Sequence, residues 1–253
     1  MGCQIMVEAL FDTDQFGTFT REISRPGSQL EVARLKAVKG MELAGVDIGI
    51  ASEGSFGPHP LIPFVPWNFE IVLLLDHKEK LEICGQNASF ETNYAQESIA
   101  TWQEAEYFAR KAGFEKHWLV LRPDNECHPS LVKGINTWES LKEAVRWGIA
   151  NSSTGKVFLE TDMRAHANPT RMRSIQKAAK DLANKIKKQC PRCGTPGFSV
   201  TSVIRGLPCE LCSQPTEEIK ARVFTCGRCG FAKEQRIPRS KRAPAGRCPY
   251  CNP

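Results

Sequence analysis

Several absences narrow this 253-residue chain before any motif is considered. It lacks a long hydrophobic run. Its longest apolar stretch is Ile71–Leu75, far short of the roughly 18 residues of a spanning helix, so no membrane partner is expected. No charged start leads into an apolar segment, as a signal peptide would require, and the cytoplasm is the expected compartment. No internal repeat is visible, which excludes solenoid and propeller architectures. Cysteine is scarce before residue 190: only Cys3, Cys84 and Cys127 occur there. None has a catalytic partner at a telling spacing, and all three read as packing residues. Nothing in the sequence sets an oligomeric state.

What is present is unevenly placed. Hydrophobic residues make up 41% and charged residues 25%, which excludes wholesale disorder. Residues 1–160 carry 15 Lys and Arg against 22 Asp and Glu. Residues 161–189 carry 8 against 2, and residues 190–253 carry 11 against 4. An acidic body thus runs into a basic end, which suits a polyanionic partner.

The remaining eight cysteines form four Cys-x-x-Cys pairs: Cys190/Cys193, Cys209/Cys212, Cys226/Cys229 and Cys248/Cys251. Gaps of 15, 13 and 18 residues separate them. Two knuckles at such spacing close one tetrahedral zinc site. The simplest assignment joins the first pair to the second and the third to the fourth, as two successive ribbons, although the middle gap also permits crossed pairing. Large apolar residues are too few here for a self-sufficient core, so two structural zinc ions would supply the folding free energy. Two zinc ions with eight thiolates lower the charge of this tail from +7 to about +3, and most of the excess sits at Arg236, Arg239, Lys241, Arg242 and Arg247. Nucleic acid is a candidate partner for the tail. The alternative is a purely structural staple.

The rest reads as an α/β body: a mixed sheet flanked by helices. Expected strands are 4–10, 46–51, 69–76, 80–85, 89–92, 117–122, 131–135 and 156–160. Ser28 with Glu31, and Thr101 with Glu104, are capping boxes that open helices ending at Gly45 and Gly113. Thr137 caps a third helix. Asn168-Pro169 opens a long basic one. The expected domains are 1–168 for the body, 169–189 for a basic connecting helix and 190–253 for the zinc-ribbon region.

Two polar segments carry candidate chemistry. Residues 52–68 form a Gly- and Pro-rich loop after a buried strand, at the sheet edge where α/β ligands bind. Here Glu53 would hold magnesium or activate water. Ser52, Gly54 and Ser55 leave backbone N–H groups open to phosphate, and His59 follows. Residues 160–171 run from a strand into a helix N-terminus, which favours anions. Here Asp162 and His166 are candidate metal ligands, Arg164 and Arg171 candidate phosphate clamps, and Asn168 a cap or ligand contact. Asp12 and Asp14, after the first expected strand, form a third candidate.

The stretches FDTDQFGTFTREI, GIASEGSFGPHP and ETDMRAHANPTRM, with the four Cys pairs ending in CPYCNP, resemble an uncharacterised bacterial family, domain of unknown function 6671. That resemblance covers nearly the whole chain and implies no activity. It also implies a further opening strand and helix, with a Thr-x-His-x-Lys-Glu-type segment, ahead of Met1. At the level of fold, the helix SQLEVARLKA followed by DIGIASEG is similar to the inosine/xanthosine triphosphatases. This second resemblance implies that Glu53 binds magnesium and Lys36 binds phosphate. Ser28 and Gln29 stand where that family carries an acid. The resulting expectation is a metal-dependent hydrolase of a nucleotide or other phosphorylated small molecule. Its rival is a ligand-sensing or nucleic-acid- or protein-binding module.

Overall fold

The computed structural model describes residues 5–7, 11, 13–238 and 240–253. The expected first strand and Asp12 fall wholly or partly outside them, as do Cys3 and Arg239, and of Asp14 only the backbone is described. Residues 5–7 are irregular and exposed. The chain divides into two compact units: residues 1–80 with 84–182, and residues 81–83 with 183–253. Among the described residues no helix is long and apolar enough to cross a membrane.

The first unit begins its regular structure with α1 (Gln29–Ala44). Both reciprocal hydrogen bonds of the Ser28/Glu31 capping box are made, and Gly45 ends the helix in the left-handed conformation. A long hairpin follows, β1 (Ile48–His59) and β2 (Ile62–Asp76), and β3 (Leu81–Ser89) completes a sheet of order β1-β2-β3. The Gly- and Pro-rich stretch 52–68 is therefore not a loop, as expected, but the outer part of this hairpin. β1 is an edge strand, where Pro58 forfeits no ladder bond on its open side. The pairing stays in register from Ile48↔Asp76 to Pro58↔Pro66. Ala33, Ala37 and Met41 of α1 pack on Ile71, Leu73 and Leu75 of β2. Residues Glu70 to Leu75 are all buried, so β2 is covered on both faces.

Next come β4 (Gln96–Ile99), α2 (Trp102–Ala112), β5 (Leu119–Pro123), β6 (Val132–Ile135), α3 (Trp138–Ala150) and β7 (Val157–Thr161). Their strands form a second antiparallel sheet of order β4-β7-β5-β6. The strand expected at 89–92 lies instead at 96–99. One face of this sheet meets α2 and α3 in a core containing Leu119, Leu121, Ile135, Leu159, Phe108 and Leu141. The mixture of helices and sheets is as expected. Strand pairing, however, splits it into two sheets, not one mixed sheet.

The basic helix α4 (Pro169–Ile186) groups with the body through Leu182. It buries Arg171, Ser174, Ala178 and Leu182, so it is an integral element and not a free-standing connector. A side chain at Gly85 on β3 would collide with the Ala178 carbonyl at 2.3 Å, so glycine lets α4 lie directly on the strand. In the second unit β8 (Ser199–Arg205), β9 (Ile219–Thr225) and β10 (Ala232–Arg236) form a sheet of order β10-β9-β8.

Candidate functional site

Three stretches distant in sequence line a cavity of about 270 Å³ in the first unit. They are residues 18–21 with Arg25, residues 54–56 of β1, and Glu160, Thr161 and Met163 at the end of β7 and just after it, with Tyr94 beside them. That volume lies near the lower end of the ~300–1,000 Å³ typical of ligand pockets, which suits a small ligand. The 18–25 loop is internally tied. The Thr18 hydroxyl accepts the N–H groups of Glu22 and Ile23 at 2.9 and 3.1 Å. Arg122 of β5 anchors it by donating to the Thr20 carbonyl and, at 3.0 Å, to the His128 carbonyl.

Strand alternation puts charge at the cavity floor. Leu119, Leu121 and Leu159 face the helices, so their neighbours Arg122 and Glu160 face the other way. Arg21 reaches Glu160 Oε2 at 2.7 Å. Glu160 Oε1 has no hydrogen-bond partner and lies 3.8 Å from Arg122 Nε, itself unbonded. Burial pushes the Glu160 carboxyl above its usual range, against the pull of Arg21. Burial likewise raises the Tyr94 phenol. Phe19 meets Phe56 edge-on at 5.5 Å, and Phe56 stacks with Tyr94 at 6.4 Å, forming an aromatic wall.

A layer of buried ion pairs lies around the cavity. Glu53 is 3% exposed and bound by Lys36 at 2.7 Å and Arg25 at 2.9 Å, one cation to each oxygen. Arg25 also donates to the Gly54 carbonyl at 2.7 Å. Gln29 stitches α1 to β1 and β2 through the carbonyls of Glu53 and Phe69. On the opposite face, Glu70 is fully buried against Arg171 at 2.9 Å. A Cβ at Gly54 would lie 2.5 Å from Glu70 Oε1, so only glycine leaves room for that carboxylate. Arg171 also donates to the Met163 carbonyl, and its guanidinium lies 4.2 Å from the Phe19 ring centre.

The two polar segments read from the sequence thus meet. Gly54 and Ser55 line the cavity, as do Glu160 to Thr161 and Met163. Lys36 and Glu53 are brought together. Asp162 is fully buried and held by Arg164 through Nε at 3.0 Å and Nη2 at 2.6 Å. Asn168 caps α4, its side-chain oxygen accepting the Arg171 N–H at 3.0 Å. Of the candidates, Gly54 and Ser55 line the cavity, and three others stand apart from both the lining and the ion pairs and helix cap beside it. Ser52 is exposed on the face of β1 opposite Glu53. His59 is at the hairpin tip, edge-on to Trp67 and accepting the Leu61 N–H. His166 is exposed in a short 3₁₀ turn, edge-on to Trp118. The sequence reading missed Arg21, Arg25, Glu70 and Tyr94. The signals were a Thr-Phe-Thr-Arg loop and a glutamate next to the apolar run Ile71–Leu75.

In the second unit the cysteines form two clusters. Cys190, Cys193, Cys226 and Cys229 make one, and Cys209, Cys212, Cys248 and Cys251 the other, each with its sulfurs within 4.8 Å of one another. The pairing is crossed, first knuckle with third and second with fourth, which corrects the successive-ribbon assignment. Within a cluster, Sγ–Sγ distances are 3.8 Å for Cys190–Cys229 and 3.6 Å for Cys193–Cys226. The second cluster repeats this with 3.9 Å for Cys209–Cys251 and 3.6 Å for Cys212–Cys248. The side chain and N–H of Thr195 hold the Cys193 thiol down to about 6, toward the thiolate that metals bind. Both clusters can bind metal ions.

Residues 36–253 match the model of a family described as domain of unknown function (DUF6671). No curated protein and no solved structure matches the chain.

Proposed function

The chain belongs to that family of unknown function, and from its geometry we propose that the body binds and hydrolyses a small phosphorylated molecule bearing a planar ring, of the nucleotide class. The observation that carries this is the cavity itself. Two arginines and a buried carboxyl with a raised pKa stand beside an aromatic wall. Arg21 and Arg25 offer charged donors for phosphate oxygens. Phe56 and Tyr94 offer a face for a ring. Glu160, whose carboxyl burial shifts toward the protonated form, would give its proton to the leaving oxygen as water adds to phosphorus and the P–O bond breaks. The attacking water then returns a proton to Glu160.

Glu53 and Asp162 do not fit the magnesium role expected of them, because the oxygens of each already face cations. This reading carries no metal step. It gives both carboxylates the task of positioning Arg25 and Arg164.

We also assign zinc to the two Cys clusters. A tetrahedral ion with Zn–S bonds of about 2.3 Å sets its sulfurs about 3.8 Å apart. The four distances of 3.6–3.9 Å agree. Zinc here would be structural, since four thiolates leave no open position.

The test is calorimetric binding and phosphate release over a nucleotide panel, with and without magnesium. Binding that weakens at least tenfold in Arg21→Ala, with release abolished in Glu160→Gln while binding persists, supports the reading. Binding without release by any variant leaves a ligand sensor. Release that needs magnesium and disappears in Glu53→Gln would restore Glu53 as a metal ligand and overturn the role of Glu160.

A further inference from the structure

The crossed pairing gives the second unit a particular construction. β8 runs from the first knuckle to the second, β9 returns from the second to the third, and β10 leaves the third toward the fourth. Because the first knuckle joins the third and the second joins the fourth, every strand starts at one sulfur cluster and ends at the other. The sheet is pinned at both ends, which fixes its register independently of any large apolar core.

The two faces of this sheet differ in charge. Cross-strand partners share a face, and the register aligns Val203, Arg222 and Gln235 in one row and Val200, Phe224 and Lys233 in the next. Lys220, two residues before Arg222, belongs to the same face. That face carries three exposed cations and no acid. None of the three is ion-paired with a described residue. Between them lie Val200 and Val203, 40% and 39% exposed, and the half-buried Phe224. The other face carries Ala221, Val223, Glu234 and Arg236, with Arg205 opposite Ile219, and both cations are paired, Arg236 with Glu234 at 2.8 Å and Arg205 with Glu217 at 3.8 Å.

We propose that the Lys220–Arg222–Lys233 face binds single-stranded nucleic acid. The charge is complementary to phosphate, is concentrated on one face, and alternates with apolar side chains that contact bases. The shape selects a single strand. Three strands about 4.8 Å apart span roughly 10 Å before side chains are added, too broad to enter a major groove of about 12 Å. A flexible single strand instead lies across the sheet.

The experiment is fluorescence anisotropy of labelled 20-residue oligothymidylate and oligouridylate with the full zinc-loaded chain, over a salt series. Binding is expected to weaken with salt. The triple variant Lys220→Gln, Arg222→Gln, Lys233→Gln should bind at least tenfold more weakly, with its log–log salt slope smaller by about 2, at about 0.7 per phosphate contact. Each single substitution should lower the slope by about 0.7. These single variants decide the matter if the triple variant fails to retain two zinc ions. Arg236→Gln, on the opposite face, should leave binding unchanged. Absence of binding at low salt, an unchanged slope in the variants, or equal affinity for a 20-base-pair duplex would overturn the assignment.

Discussion

At the scale of single residues, the body is distinguished by carboxylates that strand alternation buries and arginines that meet them there. Glu70 is the sharpest case: fully buried, just before the apolar run Ile71–Leu75, with Arg171 as its cation. Arg171→Ala would leave that charge uncompensated and should cost about 3–5 kcal/mol in urea unfolding. Replacing the pair together, Glu70→Leu with Arg171→Met, should cost far less, because the desolvation of both charges vanishes with their attraction. A double variant as unstable as the single one would show that the pair itself holds the fold. Glu160 gives a pH signature. Burial raises its pKa above 4.5, so the folded state binds the proton more tightly than the unfolded chain. The associated stability is present at acid pH and lost as pH rises through the raised value. Relative to the native protein, Glu160→Gln should therefore gain thermal stability with rising pH and approach parity below pH 4.5. Parallel melting temperatures from pH 4 to 8 would refute the shift. Gly54→Ala should also destabilise, by roughly 1–3 kcal/mol, since its Cβ would press on the Glu70 carboxylate.

At the scale of elements, local signals were legible and long-range partnerships were not. Ser28/Glu31 and Thr101/Glu104 marked two helix starts that form with the full capping box, because a cap involves only four consecutive residues. The two inner arms of the hairpin, 48–51 and 69–76, are legible as strands, whereas 52–68 reads as a loop, because Gly and Pro are punctuation in most contexts and an edge strand is the exception. Arg21 meets Glu160 across 139 positions, and no periodicity or motif announces such a contact. The cysteines show the same limit: the spacing marked the eight that cluster and left their pairing open. Crossed pairing makes a counting prediction. Cys190→Ser with Cys226→Ser disables one cluster and should leave one zinc per chain. Cys190→Ser with Cys209→Ser disables both and should leave none. Successive ribbons would give the reverse, none for the first pair and one for the second. Mass spectrometry under native conditions distinguishes the two outcomes.

At the scale of the whole molecule, the two units are held by different physics. The first buries two apolar clusters, one on α1 and β2, the other between α2, α3 and the second sheet. The second buries little beyond four cysteines, Phe198, Ala221 and Ala243. Such a core supplies too little free energy for a stretch of this size, so metal binding and folding should be one equilibrium there. A zinc chelator should therefore strip amide protection from β8, β9 and β10, while β5, β7 and α3 exchange as slowly as before. The proposed activities should separate in the same way. Oligonucleotide binding should disappear with the zinc, while nucleotide binding in the cavity stays within about twofold. Hydrogen exchange read by mass spectrometry, with both binding assays on the same sample, tests this directly. If the body also lost protection at the chelator concentration that strips the sheet, the cavity would depend on the metal centres, and the two units would have to be treated as one cooperative fold.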